Sequence, residues 1–246
     1  MRNTTTPHPF TRALTRRQWI VGGLGALSMS VACAQAWQPL EQGEGREGIR
    51  TWSRSVPGQA VNQFRGETEV PYSVLSVLAL LSDVPNMKHW VFQCSTSSSP
   101  EGLPADRMYL QFKGIWPASP RDVLLRTRVS QTPDGIVHVR SEAVDGLPPD
   151  PDRVRMPMLS NTFTLTPMPG EWTRIEFQTQ VDLGGHVPTW LANLVSTRAP
   201  LLTLQGIRAQ LPKPAYQKRT LKDMAMHLFD GPAPFVPAGH LKTSTP

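Results

Sequence analysis

The chain has 246 residues, 39% of them hydrophobic and 18% charged, which is apolar matter enough for a sizeable core and too little charge for a disordered chain. The formal net charge of +6 is concentrated at the amino terminus: residues 1–36 hold four arginines and no acid, and the remainder carries 21 basic against 19 acidic residues. With no basic cluster before residue 213, the concentrated cationic face of a nucleic-acid binder is excluded, and no nucleic-acid partner is expected.

Residues 15–20 read Thr-Arg-Arg-Gln-Trp-Ile, followed by a short apolar run from 21 to 32 and the small-x-small triplet Ala34-Gln35-Ala36. A basic stretch, a short apolar stretch and a small-residue cleavage site make an export signal. The paired arginines resemble the twin-arginine motif, with Trp19 where Phe is usual. Residues 1–36 are therefore expected to address the protein to the periplasm, with cleavage after Ala36. An uncleaved anchor and a lipoprotein bearing lipid on Cys33 are the alternatives, and the apolar run falls short of the roughly 20 residues a membrane helix needs. Cleavage leaves Cys94 as the lone cysteine, which excludes an internal disulfide.

Residues 37–48 are polar and rich in Gly and Glu, and read as a linker; the spacing Gly43-x-Gly45-x-x-Gly48 has no strand before it and carries no dinucleotide-binding weight. Runs at 49–56 and 61–70 flank Pro57-Gly58 and read as a hairpin. Residues 72–83 switch to helical periodicity, with Tyr72, Leu75, Leu78, Ala79 and Ser82 on one face. Strand-like runs follow at 89–96, 106–114, 122–132, 136–144, 153–167 and 172–182, with Ser-rich 95–99 read as a loop. Asp134-Gly135 is the strongest hairpin signal, because a tight turn demands positive φ.

Within these runs apolar and polar residues alternate. Met108, Leu110 and Phe112 share one face, as do Leu125, Thr127 and Val129, then Val137, Val139 and Ser141, then Ile175, Phe177, Thr179 and Val181. Period 2 with one wet face predicts an antiparallel sheet whose apolar side is covered. The cover is residues 188–211, where Pro188 suits a helix start and Trp190, Leu191, Leu194, Val195, Leu201, Leu202, Leu204 and Leu211 form the apolar stripe, with a kink expected at Pro200. Residues 212–246 read as a Pro/Lys-rich tail with a short helix near 218–229. Thr and Ser on the inner faces, with Met108, Met156 and Met158, suit an adaptable cavity; periodicity alone leaves a filled core equally open.

Residues 181–194 read Val-Asp-Leu-Gly-Gly-His-Val-Pro-Thr-Trp-Leu-Ala-Asn-Leu. This resembles the signature of the START (StAR-related lipid-transfer) domain family, with Leu183 in place of the usual Pro. Tyr109-x-x-x-Lys113, Trp116-Pro117, Arg121-Asp122, Val154-Arg155 and the run from 173 to 177 also match. The resemblance spans residues 49–211 and implies an α+β helix-grip fold: a curved antiparallel sheet wrapped around a long carboxy-terminal helix, with an internal hydrophobic tunnel. It implies that a lipid or other apolar molecule is bound and transferred without catalysis and without a cofactor. The expected tunnel contacts are Met87, Trp90, Met108, Leu110, Phe112, Val123, Leu125, Thr127, Val129, Val139, Ser141, Met156, Met158, Phe177, Thr179, Trp190, Leu191, Leu194, Val195 and Leu202. Phosphatidylcholine-transfer members hold their headgroup at positions that here are Met87, Val91, Leu110 and Val123, all apolar, which points to a less polar ligand. Arg121 and Asp122 are either a polar tunnel contact or, preferentially, an ion pair fixing the corner.

No His-x-His, His-Glu-x-x-His, Cys-x-x-Cys or Gly-x-Ser-x-Gly spacing supplies a metal site or a nucleophile. A tunnel enzyme of the cyclase/aromatase or hydrolase kind is one alternative, and an envelope interaction module without ligand is another. For carriage, the closing helix or the loop at 116–122 is expected to move, with Gly184-Gly185 as hinge. Transient membrane contact is expected through Lys213, Lys218, Arg219 and Lys222.

Overall fold

A computed structural model of the chain describes residues 35–217 and residue 219. The expected export signal up to residue 34, including Cys33, lies outside the described residues, as do the expected helix near 218–229 and the rest of the tail.

The strands are β1 (Gln38–Gln42), β2 (Arg50–Arg54), β3 (Gln63–Val70), β4 (Cys94–Ser98), β5 (Arg107–Phe112), β6 (Arg121–Gln131), β7 (Val137–Ala143), β8 (Val154–Arg155), β9 (Met158–Met168) and β10 (Trp172–Asp182). Two helices, α1 (Val74–Ser82) and α2 (Thr189–Gln210), and 3₁₀ turns at Val84–His89 and Pro214–Tyr216 complete the described elements. One sheet runs in the order β1-β2-β3-β10-β9-β7-β6-β5-β4, antiparallel at each step, while the short β8 pairs parallel with the start of β6. This is the expected helix-grip fold, with α2 lying across the inner face of the sheet.

The elements differ from expectation in instructive places. Residues 38–42 form an edge strand, with Gln38 opposite Ser53, rather than linker. The run at 89–96 begins in the 3₁₀ turn, and the serines of 95–99 belong largely to strand β4, whose Cys94 and Ser97 are buried. The run at 153–167 is divided at Pro157, which has no N–H for a ladder. In α1 the buried residues are Val74, Ser76, Val77, Leu78, Leu80 and Leu81, while Tyr72, Leu75, Ala79 and Ser82 are half-buried. That helix is apolar nearly all round, so its periodicity does not select a face.

The inner face of α2 is built from small residues. Ala192, Ser196, Ala199, Thr203 and Ile207 are buried, spaced three or four apart, together with Leu191, Pro200 and Leu204. Trp190 and Leu202, large and apolar, are 45% and 40% exposed. The helix runs unbroken through Pro200. Two glycines set its closeness to its neighbours. A Cβ on Gly206 would lie 2.7 Å from the Cα and the carbonyl oxygen of Trp90, and one on Gly66 would lie 2.7 Å from Leu204 Cδ1. Hydrogen bonds fix the same contact: the Phe92 N–H donates to Thr203 Oγ1 at 3.3 Å and the Asn62 N–H to Ser196 Oγ at 3.1 Å.

On the outer face, Asp122 is fully buried and accepts from Arg155 Nε and Nη2, both at 2.9 Å, and from the Tyr109 hydroxyl at 2.6 Å. Arg155 also donates to the carbonyls of Leu147 and Pro148, which ties the segment after β7 to β6. Burial alone raises the Asp122 pKa, but the hydrogen bonds from Arg155 and Tyr109 outweigh it and hold the carboxyl below its ordinary value. Glu69 is likewise held low, first by its hydrogen bond from Arg46, against burial and with help from Arg174.

Two outcomes are expected. Gly206→Ala forces a methyl into the Trp90 backbone, so despite a helix-propensity gain of about 1 kcal/mol it lowers stability, by roughly 1–3 kcal/mol, as read by urea unfolding; unchanged or raised stability would show that the contact relaxes freely. For Asp122, a depressed folded pKa means a contribution fully present above the ordinary carboxylate pKa of about 4 and lost as pH falls through the folded value. Asp122→Asn should therefore unfold more readily at neutral pH and show a shallower loss of stability below pH ~4 than the parent, the remaining slope coming from groups such as Glu69. Parallel acid-unfolding curves for the two proteins would remove Asp122 from that role.

Candidate functional site

Between α2 and the inner face of the sheet lies a cavity of about 150 Å³, the order of size at which an apolar void holds a hydrophobic guest. Strand alternation delivers its wall. Met108, Leu110 and Phe112 come from β5, Leu125 and Thr127 from β6, Val139 and Ser141 from β7, and Phe177 and Thr179 from β10, with Met156 between β8 and β9. Met87 and Trp90 line it from the segment after α1, and Leu191 and Val195 from α2.

Other expected contacts stand elsewhere. Val123 and Val129 are fully buried but do not line the cavity, and Met158 is half-buried off it. Trp190, Leu194 and Leu202 fall off the inner stripe of α2, because the helix turns its small residues toward the sheet. Val91, matched above to a headgroup position, and Val181, on the inner face of β10, also line the cavity, as do Phe64, Leu81, Phe92, Gln93, Lys113, Ile115, Leu159, Asn161, Phe163, Leu183, Ala199 and Thr203, which were not anticipated. Those on β9 carry a readable signal, since Leu159, Asn161, Phe163 and Leu165 alternate with Ser160, Thr162 and Thr164. Ala199 and Thr203 carry none, because a small residue on a helix marks no face.

The wall is zoned. Register sets Thr127 opposite Ser141, Ser141 opposite Asn161, and Asn161 opposite Thr179, making one polar row across four strands. These groups pair with one another: Thr127 Oγ1 lies 2.8 Å from Ser141 Oγ, and the Thr179 hydroxyl donates to Asn161 Oδ1 at 2.7 Å. Two residues along, Val129, Val139, Phe163 and Phe177 stand opposite in succession. Phe163 and Phe177 stack at 4.5 Å, with Phe64 and Trp90 edge-on at 6.1 and 6.2 Å.

Arg121 sits at the other end of β6, six residues from Thr127, or about 20 Å along the strand. It lines the cavity and is 6% exposed. The expected ion pair with Asp122 is not formed. Consecutive residues of a strand point to opposite faces, so Asp122 turns outward to Arg155 while Arg121 turns inward. Its Nη1 donates to the Ser119 carbonyl at 2.5 Å, and its Nε is buried without an acceptor among the described residues. Burial holds its pKa below the ordinary arginine value. Trp90 Nε1 is the other buried, unpartnered donor on a lining side chain.

Among the described residues, the lining contains no His, Asp, Glu, Cys or Tyr, and no group of three His, Cys, Asp or Glu is placed to hold a metal. Cys94 is buried outside the lining, and burial pushes its thiol up to about 11. His138 lies off the cavity, with Nδ1 3.2 Å from Thr164 Oγ1.

Comparison with known proteins agrees with this geometry. The chain is 29% identical to a fragment of the STAR-related lipid transfer protein of Xanthomonas axonopodis, whose crystal structure superposes with a TM-score of 0.65 over 73% of this chain and 100% of that one. It is also 29% identical over 185 residues to an uncharacterised protein of Pseudomonas aeruginosa, a span of 74% of this chain and 90% of that one. Human STARD10 shares the fold at 18% identity, with a TM-score of 0.62 over 78% of this chain and 80% of that one. The START domain family matches residues 28–214, most of the chain, and the protein therefore belongs to the START domain family.

Proposed function

We propose that the protein binds a lipid-like ligand in the cavity and carries it between membranes of the cell envelope, without catalysis, after export directed by residues 1–36. The observation that carries this reading is the cavity itself, apolar over most of its wall and roofed by one helix. The likeness to a STAR-related lipid transfer protein supports it. Lys113 and Arg121 are the ionisable side chains of the described lining, and neither comes with a partner acid or base for proton transfer, which favours carriage over turnover.

The energetics suit exchange. Each CH₂ moved from water into the cavity gains about 0.8 kcal/mol. A bilayer offers a similar gain, so transfer from membrane to cavity is near neutral and its rate is set by opening. The amino-terminal half of α2, reached from β10 through Gly184 and Gly185, both at positive φ, is the part proposed to move. Facing it in function is the loop after β5, where Ile115 lines the cavity while the adjacent Trp116 is 89% exposed. An exposed indole suits the membrane interface, where one end of the ring is apolar and the other wet. Among the described residues no helix is long and apolar enough to cross a membrane, so contact through this loop would be transient. Lys213 and Arg219 remain proposed contacts for anionic headgroups, alongside Lys218 and Lys222 beyond the described residues.

Lipid extraction of the purified protein followed by mass spectrometry should find an apolar ligand at near-stoichiometric amount. Val195→Asp places an unpaired carboxylate against the cavity and should lose that ligand, whereas Leu194→Asp, one residue away and off the lining, should retain it. Loss in both variants or in neither would break the link between the cavity and binding. Trp116→Ala should slow lipid transfer between vesicles about tenfold or more while leaving bound ligand unchanged, given roughly 1.5–3 kcal/mol for burying a large apolar side chain; unchanged transfer would remove the loop from membrane contact.

A further inference from the structure

The binding reading leaves open which apolar molecule is held, and one side chain narrows it. Arg121 brings a buried positive charge into a wall that is mostly hydrocarbon, in which Thr127 pairs with Ser141 and Thr179 with Asn161. Such a charge is normally paired when it is buried. Here no carboxylate of the described residues lies within ion-pair distance, because Asp122 is committed to Arg155 on the opposite face. Lys113, the other cation of the lining, is exposed at the rim.

The way Arg121 is held adds direction. A guanidinium offers five N–H donors on a planar fork. Nη1 is taken by the Ser119 carbonyl, which ties the group to the loop before β6. Among the described residues Nε is buried without an acceptor, and the Ser119 carbonyl is the acceptor found for the guanidinium. Two parallel N–H groups on one edge match the two oxygens of a carboxylate. A phosphate monoester brings up to two charges and three acceptor oxygens, more than a single guanidinium edge satisfies.

We propose that the ligand carries a carboxylate, held by the unpaired donors of the Arg121 guanidinium, with an apolar chain running along β6 toward the Phe163–Phe177 stack. This rests on the cavity being a binding site at all, and the test separates the two claims. The full chain, at mildly alkaline pH, is titrated with cis-parinaric acid, a polyene fatty acid whose fluorescence rises in an apolar site, and with its methyl ester. The acid should bind at least about tenfold more tightly than the ester, the scale of a charge-assisted hydrogen bond. Arg121→Gln should abolish that preference, bringing the affinity for the acid down to that for the ester, and Arg121→Lys, which keeps the charge but not the fork, should retain part of it.

An ester that binds the parent as tightly as the acid, or a preference that survives Arg121→Gln, overturns the proposal and leaves the cavity reading intact. If Arg121→Gln weakens acid and ester equally and lowers Tm, the arginine is only a strut for Ser119, and the proposal falls. If neither probe binds the parent, the cavity reading itself fails. Competition with palmitate and hexadecyl phosphate decides the headgroup: stronger displacement by palmitate supports the carboxylate, and stronger displacement by the phosphate overturns it.

Discussion

How closely α2 is allowed to approach its neighbours decides what kind of interior this protein has. Toward its carboxy-terminal end the helix comes down until the Gly206 backbone meets that of Trp90 and Leu204 reaches the bare Cα of Gly66, and there Leu204, Ile207 and Leu211 are fully buried. Toward its other end, Leu191, Val195 and Ala199 line the cavity, while Ser196 between them stays tied to the Asn62 N–H. A helix brought close at one end over a curved sheet leaves a gap beneath part of the rest. The same helix is thus core along one stretch and roof along the next.

The alternation of β6 performs a second separation. Arg121 and Asp122 are neighbours in sequence and strangers in space. One turns toward the cavity, the other joins Tyr109 and Arg155 in a fully hydrogen-bonded outer cluster. That cluster fastens β5, β6, β8 and the segment after β7 together. This buried carboxylate contact therefore makes no demand on the cavity, and among the described residues Arg121 is tied to the fold by its bond to the Ser119 carbonyl.

Much of this architecture was legible in the residues alone, and the limits were physical. Strands with one wet face announced themselves by period 2, and Asp134-Gly135 marked its hairpin, with Gly135 at φ 86. Inner positions such as Met108, Leu125, Val139 and Phe177 followed directly. Size alone failed as a guide on α2. Its inner stripe sets Ala192, Ser196, Ala199 and Thr203 beside the expected Leu191 and Leu204, while Trp190 and Leu202 turn away from it. In α1, apolar residues all round left the face undetermined. The pairing of Asp122 with Arg155 spans 33 residues and depends on the parallel β6–β8 pairing, which no local pattern encodes. The two-residue β8 is too short to show a period at all.

The row formed by Thr127, Ser141, Asn161 and Thr179 has a consequence for the protein between guests. A dry pocket lined only by hydrocarbon has nothing to hold it open except the stiffness of its walls. A belt of hydroxyl and amide groups across the middle gives solvent molecules partners at that level. Under the proposed carriage, loading would exchange water at that level for a lipid chain, and unloading would reverse the exchange.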